Sequence, residues 1–538
     1  MFGRRAASHP LSCPPAPNPL AFARKATHPP GMNDMSGQGR GIGPVATWGL
    51  LALVAVIVRA QGFGNPVIGF DEQFYLLVGD RMLHGALPYV DIFDRKPIGL
   101  FLIYAGARAL GTLFGEGGFL AYKLVATGFV VATAYGVQRI ARAFAPPAAA
   151  IGAAILYILW LNLMEGEGGQ SPVFYNALIL VAASLVLRAV ERRGRLFACG
   201  AGAMSAVGLA LQIKYSVLPE GFAFGCILLW LGWRRQVPLV RLAVMALVWV
   251  ALALLPTLAA WRAYAAMGQG EAWLFANLVS LGGQAARPLA TELEGLAACV
   301  GILLPLGLVI ALGRPWRHVA PERRDGFGFL LVWLAVTAVA VLLYGRFGSP
   351  HYAMPIVLPA TLAAAPALGR WRRGWLLGLI LVIAVAGQIV LALSERAKGG
   401  AAEAMAIARA AMPDRGCLYV YDGYPALYML THSCLPSKWV FPGHLNTSDE
   451  ASAAALGVDP VFEIRRILAA RPGAIVDDYP RFTFGNPATR KVLSDVLAKD
   501  YHLAACIPTG PSRVRLVYRR GPGAVPDHCP STAILATP

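Results

Sequence analysis

Between residues 44 and 394 the chain alternates long apolar runs with short polar clusters that are mostly basic. Each run is close to the length that an α-helix needs to cross a bilayer. The runs lie at about 45–61, 119–138, 148–163, 173–190, 196–213, 217–233, 240–258, 296–313, 328–344, 353–369 and 375–393. This pattern predicts an α-helical polytopic membrane protein with about eleven spans.

A twelfth apolar stretch, residues 98–114, is ambiguous because it contains three glycines and Arg108 and has only 17 residues. If it lies along the interface as a juxtamembrane helix, the basic clusters between the spans all fall on one side of the membrane. The positive-inside rule then makes that side cytoplasmic. The sequence therefore predicts a cytoplasmic N-terminus in a bacterial inner membrane, with the 62–97 loop and the C-terminal region outside.

Composition divides the chain into three zones. Residues 1–43 are rich in Pro, Gly, Ala and Ser and predict a disordered cytoplasmic tail, in which Met32 or Met35 is an alternative start. Residues 44–394 form the membrane domain, and residues 395–538 predict an exported domain that folds in water. Of the 538 residues, 57% are hydrophobic and only 14% are charged. Soluble proteins carry about 25% charged residues, so an ordinary soluble enzyme is excluded.

The formal net charge of +18 does not indicate a nucleic-acid partner. The basic residues stand in clusters between apolar runs, where they act as topology signals.

The C-terminal zone alternates strand-like and helical patterns, which predicts a small α/β domain. The strand-like runs are 417–422, 474–479 and 513–519, and the helical ones lie near 401–411, 461–471 and 487–499. Asp477 and Asp478 are interpreted as a solvated strand end. Four cysteines in this zone allow three pairings, of which Cys417–Cys434 with Cys506–Cys529 is the most local, and unpaired thiols remain an alternative.

The outer loop 62–97 concentrates charge in an otherwise apolar protein. Its five acidic residues are Asp71, Glu72, Asp80, Asp91 and Asp94, and its three basic residues are Arg81, Arg95 and Lys96. Carboxylates gathered beside a bilayer usually serve function. A merely hydrophilic exposed loop is the alternative that composition alone leaves open.

The order of residues in this loop is more specific than its composition. An acidic pair, Asp71-Glu72, follows the first span; a Gly-x-x-Pro-Tyr-x-Asp stretch covers 85–91; and Lys96-Pro97 precedes the juxtamembrane helix. In these features the chain resembles the GT-C glycosyltransferases, in particular the family 39-like branch with the protein O-mannosyltransferases and lipid A aminoarabinose transferases. The likeness in span pattern extends over about 45–400.

The resemblance implies transfer of a hexosyl or pentosyl group from a polyprenyl-phosphate donor to a lipid, glycan or protein acceptor on the periplasmic face, with inversion. Asp71 matches the family's catalytic position, where it would act as general base. Glu72 would orient the acceptor or help Asp71 bind a divalent cation. No cofactor is certain, and a salt bridge from Glu72 to a basic neighbour is an equal alternative.

The departing phosphate needs cations near a low-dielectric boundary. The donor-phosphate candidates are Arg95, Lys96, Lys214 and Arg346, and the substrate-binding candidates are Tyr75, Asp91, Asp94, His351 and Tyr352. For Asp91 and Asp94, holding the fold of the loop is the slightly favoured alternative. For the residues of the 346–352 stretch, anchoring at the membrane interface is the alternative. Lys214 could equally be a snorkelling anchor at a span end. Glu165, Glu167 and Gln170, in a glycine-rich outer loop, are further candidates for acceptor contacts.

Three other functions remain as alternatives, one of which is a binding or scaffold protein in which the acidic loop is inert. A transporter is disfavoured because the spans show no evident inverted repeat and few ionisable residues at mid-membrane. A polyprenyl-linked glycan polymerase or ligase usually carries its functional arginines in a large late loop, whereas the long charged loop here comes first.

Overall fold

The structure, a computed structural model, describes residues 43–529 other than 68, 116, 525, 527 and 528. The predicted tail over residues 1–42 lies outside these residues. The helices up to residue 398 are α1 (Pro44–Arg59), α2 (Phe70–Leu83), α3 (Ile98–Leu113), α4 (Phe119–Ala141), α5 (Pro147–Leu161), α6 (Ser171–Val190), α7 (Leu196–Leu211), α8 (Leu218–Arg234), α9 (Leu239–Ala266), α10 (Gly270–Leu274), α11 (Leu289–Gly313), α12 (Arg324–Tyr344), α13 (Val357–Leu368) and α14 (Arg373–Lys398).

The apolar runs form helices long enough to confirm a polytopic membrane fold. Within the described residues, nine segments have the length and composition of a membrane span: Pro44–Gly62, Phe119–Ala141, Pro147–Met164, Ser171–Val190, Tyr215–Arg234, Leu239–Ala266, Leu289–Arg317, Pro321–Tyr344 and Arg373–Ala411. The other two predicted spans are the shorter apolar helices Leu196–Leu211 and Met354–Leu368, and Ile98–Leu113 is also short. The sidedness of these segments stays a prediction.

Local sequence sets several of the helix ends. Proline stands in the first turn of α1, α5 and α6, where its missing N–H has no helical partner to lose. Gly345 ends α12 with φ 65°, the left-handed conformation that glycine adopts without strain. In the bundle, all twelve residues of α13 are buried, and α13 packs against α5. By contrast α9 is largely exposed and presents apolar side chains outward, as expected of a helix that faces lipid.

The C-terminal region, residues 401–529, contains one mixed sheet with helices around it. Its strands are β1 (Leu418–Val420), β2 (Ala474–Tyr479), β3 (Tyr501–Gly510) and β4 (Arg513–Arg520), and its helices are α15 (Ala401–Ala411), α16 (Leu427–Leu430), α17 (Pro442–Asn446), α18 (Ala453–Leu456), α19 (Pro460–Ala469) and α20 (Pro487–Asp500). The strand order is β1-β2-β4-β3; β1 and β2 are parallel and the other pairs antiparallel. The predicted α/β fold of this region is confirmed.

Strand β3 is the one strand of the sheet that the sequence pattern did not predict. It begins directly after α20 without an intervening turn. Its register with β4 shifts at two places, so the alternation of side chains between the two faces of the sheet is broken. The disulfides Cys417–Cys434 and Cys506–Cys529 are both present, which is the most local of the pairings.

The expected solvated strand end at Asp477 and Asp478 is wrong. Each residue is only 4% exposed. Asp477 pairs with Arg490, and Asp478 Oδ2 lies 2.7 Å from Arg515 Nη1. The pattern could not show this, because the arginines that allow the two carboxylates to be buried come from α20 and β4.

Candidate active site

A cavity of about 860 Å³ lies where the connections between the membrane helices meet the C-terminal region, and it gathers most of the candidate residues. Ten of the eleven candidates for catalysis, phosphate binding and substrate binding line it: Asp71, Glu72, Tyr75, Asp94, Arg95, Lys96, Lys214, Arg346, His351 and Tyr352. They come from stretches separated by more than 100 residues in sequence, so the fold alone brings them together.

Asp91 is the exception, and its contacts fit the alternative in which it holds the fold of the outer loop. The residue is exposed and does not line the cavity. Its Oδ2 accepts the Leu87 N–H at 2.7 Å, which closes the turn over residues 87–91. This is the short-range bond by which aspartate commonly stabilises a turn, and it explains Asp91 without a ligand.

Asp71 and Glu72 occupy the first turn of α2, where the helix dipole favours negative charge. Gln170 links them, because its Nε2 lies 3.4 Å from both Asp71 Oδ2 and Glu72 Oε2. Glu72 is 1% exposed, and its burial, together with the charges of Asp71 and Glu167, raises the pKa of Glu72 well above its usual range. Glu72 forms no salt bridge with any described residue, so the salt-bridge alternative is not supported.

Two glycines make room for the Glu72 carboxylate. A Cβ at Gly168 would lie 2.7 Å from Glu72 Oε1, and a Cβ at Gly69 would overlap Glu72 Oε2 more severely. Gly69 also has φ 76°, which a side chain would strain. The close approach of backbone to carboxylate therefore requires glycine at both positions.

Arg59, at the end of α1, stabilises the loop that carries Gly168 and Gln170. The Arg59 guanidinium is fully buried and donates to Gly166 O at 2.5 Å, to Gly168 O at 2.8 Å and to Thr127 Oγ1 at 3.1 Å. Planar guanidinium donors suit such a multiple contact. The arginine thus fixes the loop that contacts both carboxylates.

The cations Lys96 and Lys214 face aromatic rings at the cavity wall. Lys96 Nζ lies 5.7 Å from the Tyr75 ring, and Lys214 Nζ lies 4.6 Å from the Tyr352 ring. Burial opposes the charge of Lys96, but the carboxylates of Asp94 and Asp71 raise its pKa above the usual range. Burial, with Lys96 nearby, lowers the pKa of Lys214 to about 7 against the attraction of Asp71.

The two arginine candidates differ in what they contact. Arg346 donates to Gln284 Oε1 at 3.0 Å and lies 3.9 Å from Asp449 Oδ2. Arg95 Nη1 contacts Glu450 Oε2 at 3.1 Å, while its Nη2 donates to Ala455 O at 3.1 Å. Both terminal nitrogens of Arg95 are thus engaged by the C-terminal region, so Arg95 links the outer loop to that region, and its contact with a donor phosphate stays a prediction.

The remaining substrate candidates are polar groups set among aromatic rings. Tyr75 is 2% exposed and packs its ring 5.5 Å from that of Tyr104. Asp94 Oδ2 is buried with no hydrogen-bond partner among the described residues, and its burial raises the pKa of Asp94 although Lys96 opposes this. His351 Nδ1 lies 2.8 Å from Glu165 Oε2. Burial opposes ionisation of Glu165, but this bond to His351 lowers its pKa below the usual value.

Sequence reasoning missed the residues that the C-terminal region contributes to the cavity. They include Asp422, His444, Asp449, Asp478, Phe482, Phe484 and Arg513; Arg287 and Lys398, from the membrane part, were also missed. Arg287 Nε lies 2.7 Å from Asp449 Oδ2. The position of two of these residues in the sequence could have indicated the site. Asp422 and Asp478 stand at the carboxyl ends of neighbouring strands, which is the usual ligand-binding edge of an α/β sheet.

A divalent cation at Asp71 and Glu72, the alternative to acceptor orientation, has no evident ligand set among the described residues. No group of three or more His, Cys, Asp or Glu residues that could hold a metal ion occurs in the described part of the chain. Asp71 and Glu72 supply two carboxylates, whereas Mg²⁺ and Ca²⁺ take six or more oxygen ligands and fill the rest with water or substrate. The described protein residues therefore do not by themselves define a metal centre.

No protein-family model and no curated protein matches the chain. Among solved structures, it is similar to ArnT from Cupriavidus metallidurans in the apo state, with 15% identity and a TM-score of 0.58 over 88% of this chain and 98% of that one. ArnT bound to undecaprenyl phosphate gives the same identity and TM-score. A mutant arabinofuranosyltransferase AftD from Mycobacteria matches with 15% identity and a TM-score of 0.50, over 89% of this chain and 41% of AftD. At these identities the similarity shows the fold, and the expected GT-C fold is confirmed.

Proposed function

We propose that this chain is a membrane glycosyltransferase that moves a hexosyl or pentosyl group from a polyprenyl-phosphate donor to an acceptor on the periplasmic face. One observation carries the proposal: a single cavity holds the carboxylate of Asp71 together with Lys96, Lys214 and Arg346. A carboxylate can accept a proton from the acceptor, and the cations can stabilise a departing phosphate. The cavity thus combines the two groups that the reaction needs.

The donor class is supported by the charge of the cavity and by the similar fold. The ArnT structure that resembles this chain was solved with undecaprenyl phosphate bound. Lys96, Lys214 and Arg346 are suited to contact the phosphate of such a donor, and Arg287, which pairs with Asp449, also lines the cavity. Because charge develops on this phosphate as the sugar leaves, these contacts would strengthen in the transition state.

The proposed chemistry is a single displacement at the anomeric carbon. The acceptor oxygen forms a bond to that carbon while Asp71 takes the acceptor's proton. The bond from the carbon to the phosphate oxygen breaks, its electron pair stays on the phosphate, and the configuration inverts. Glu72, whose raised pKa favours its protonated form, would hydrogen-bond a substrate hydroxyl rather than act as a second base.

The test is release of polyprenyl phosphate from radiolabelled polyprenyl-phosphate sugars by the purified protein in native lipid extract. Asp71→Asn is expected to lower the rate by about 10²- to 10⁴-fold, the usual contribution of a general base. Asp91→Asn is the matched control, because Asp91 belongs to the same outer segment but does not line the cavity. It should keep the wild-type rate.

Each other outcome has a distinct meaning. Equal rates from the wild type and Asp71→Asn would move the base elsewhere. No release by the wild type with any hexose or pentose, in the presence of envelope lipid and protein fractions, would contradict the transferase and favour a transporter.

A further inference from the structure

The parallel strands β1 and β2 of the C-terminal region end at the cavity. Asp422 follows β1, and its N–H donates to Val476 O, in the middle of β2, at 3.3 Å. Both Asp422 and Asp478, the fifth residue of β2, line the cavity. Ligands commonly bind at the carboxyl ends of parallel strands, because loops diverge there and leave a crevice.

Polar groups at this edge are buried without complete partners. Asp478 is 4% exposed; its Oδ2 contacts Arg515 and lies 3.4 Å from Arg513 Nε, yet its Oδ1 has no hydrogen-bond partner in the described part of the chain. Asn446 Oδ1, which is also buried, likewise has none. Buried oxygens are nearly always hydrogen-bonded in native proteins, so two such atoms in residues that line one cavity point to a ligand.

Two exposed aromatic rings complete the wall. Phe482 is 47% exposed and Phe484 is 38% exposed, and their ring centroids are 5.7 Å apart. The backbone around them is fixed, because the Ser448 N–H donates to Phe484 O at 2.9 Å. Paired rings that lie open beside planar carboxylate and amide groups form a surface with one apolar face and several fixed hydrogen-bonding groups.

We infer that this part of the cavity is a subsite that binds a neutral, hydroxyl-rich sugar ring of the acceptor. The subsite consists of Asp422, Asn446, Asp478, Phe482, Phe484 and Arg513. The carboxylates and the amide would bond ring hydroxyls, and the phenylalanines would cover the C–H face. Acidic sugars fit poorly, because two carboxylates stand at the strand ends. We call these six residues the strand-end subsite. The inference rests on the proposed function only in naming the sugar as acceptor.

The ionisation of Asp422 is compatible with this role. Burial, together with the charges of Asp478 and Asp477, raises the pKa of Asp422 to about 7. Near neutral pH this carboxyl group can therefore both donate and accept hydrogen bonds, which matches hydroxyl groups that do the same.

The test measures binding without any donor. Saturation-transfer NMR on the purified full-length protein would use methyl glycosides of neutral hexoses and pentoses, with the 6-phosphorylated and 2-amino hexosides as charged probes. Saturation is expected for neutral glycosides on the wild type, and the Phe482→Ala/Phe484→Ala double variant is expected to lose at least tenfold in affinity. Phe462→Ala is the matched control, because its ring is 62% exposed on α19 and does not line the cavity.

Three results would overturn the strand-end subsite. The first is equal binding by the double variant and the wild type. The second is absence of binding of every neutral glycoside to the wild type at 10 mM, an order-of-magnitude ceiling for the dissociation constant of a weak sugar site, which corresponds to about −3 kcal/mol. The third is binding of the charged probes alone. Asp422→Asn, which keeps the shape of the side chain, should also weaken the binding of neutral glycosides. Asp71→Asn should bind them like the wild type, which separates failure of this subsite from failure of the proposed catalysis.

Discussion

At the scale of single residues, the site depends on the space left beside Glu72 as much as on the carboxylate itself. Gly168 and Gly69 allow backbone to approach its oxygens, and Gln170 contacts both Glu72 and Asp71. Displacement of a reacting group by about 1 Å can cost about 100-fold in rate. A methyl group at this point should therefore be felt in catalysis.

Gly168→Ala is expected to lower polyprenyl-phosphate release by about 10- to 100-fold, because its Cβ would push Glu72 away from Gln170. Gly128→Ala is the control, since a Cβ there has no neighbour within 4 Å. Initial rates at saturating donor would be compared for the two variants. A wild-type rate for Gly168→Ala would show that the position of Glu72 does not matter.

In the proposed reaction, we expect Lys214 to cause a dependence of the rate on pH. Because burial and Lys96 lower the pKa of Lys214 to about 7, the side chain is charged below that pH and neutral above it. A phosphodiester donor stays anionic throughout this range. The attraction between Lys214 and the donor phosphate is thus present at pH 6 and is lost as pH rises through about 7.

We therefore expect kcat/KM for the donor to fall up to tenfold per pH unit above about pH 7, since this parameter reports groups of the free enzyme. Lys214→Arg should remove the fall, because arginine stays charged. Rates would be measured from pH 5.5 to 9. The same alkaline fall in Lys214→Arg would assign it to another group.

At the scale of elements, the sequence predicted those that have a periodic pattern of their own. The run 474–479 is β2 without any shift, and 401–411 is α15, since local alternation and apolar spacing are sufficient for both. The outer-loop motif also led to Asp71 and Lys96. What the pattern missed depends on partners distant in sequence: the burial of Asp478 by Arg515, and the contact of Arg95 with Glu450.

The Cys417–Cys434 disulfide fixes the start of β1 to the segment after α16. Cys417→Ser/Cys434→Ser is expected to lower the free energy of unfolding of the C-terminal region by about 3 kcal/mol, the value for a loop of this size. Denaturant-dependent proteolysis of the region would measure it. Cys226→Ser is the control, because Cys226 is exposed and unpaired. Equal protease resistance of the two variants would show that the disulfide adds no stability.

At the scale of the whole molecule, the C-terminal region is fastened to the membrane part by charged contacts around Asp449 and Glu450. Asp449 holds Arg287 and lies near Arg346, and Glu450 contacts Arg95. The segment before Arg287 joins in, since the Ala285 N–H donates to Asp449 O. The cavity lies between the two parts, so its shape depends on these contacts.

Asp449→Asn/Glu450→Gln should loosen this attachment by about 2 kcal/mol, because it leaves three partly buried arginines without their full partners. We expect faster proteolysis within 280–288 and a lower rate of donor turnover. Asp495→Asn is the control, because Asp495 forms an exposed pair with Lys491. Unchanged cleavage in the double variant would show that other contacts hold the two parts together.

The three hydrogen bonds of Arg59 also have a consequence for synthesis. Its partners Thr127, Gly166 and Gly168 follow it by 68, 107 and 109 residues. While the ribosome makes the intervening helices, the guanidinium at the end of α1 has none of its final acceptors and must stay near water or lipid headgroups. The hydrogen bonds that fix α1 to this loop can therefore form only after the loop before α6 has been synthesised.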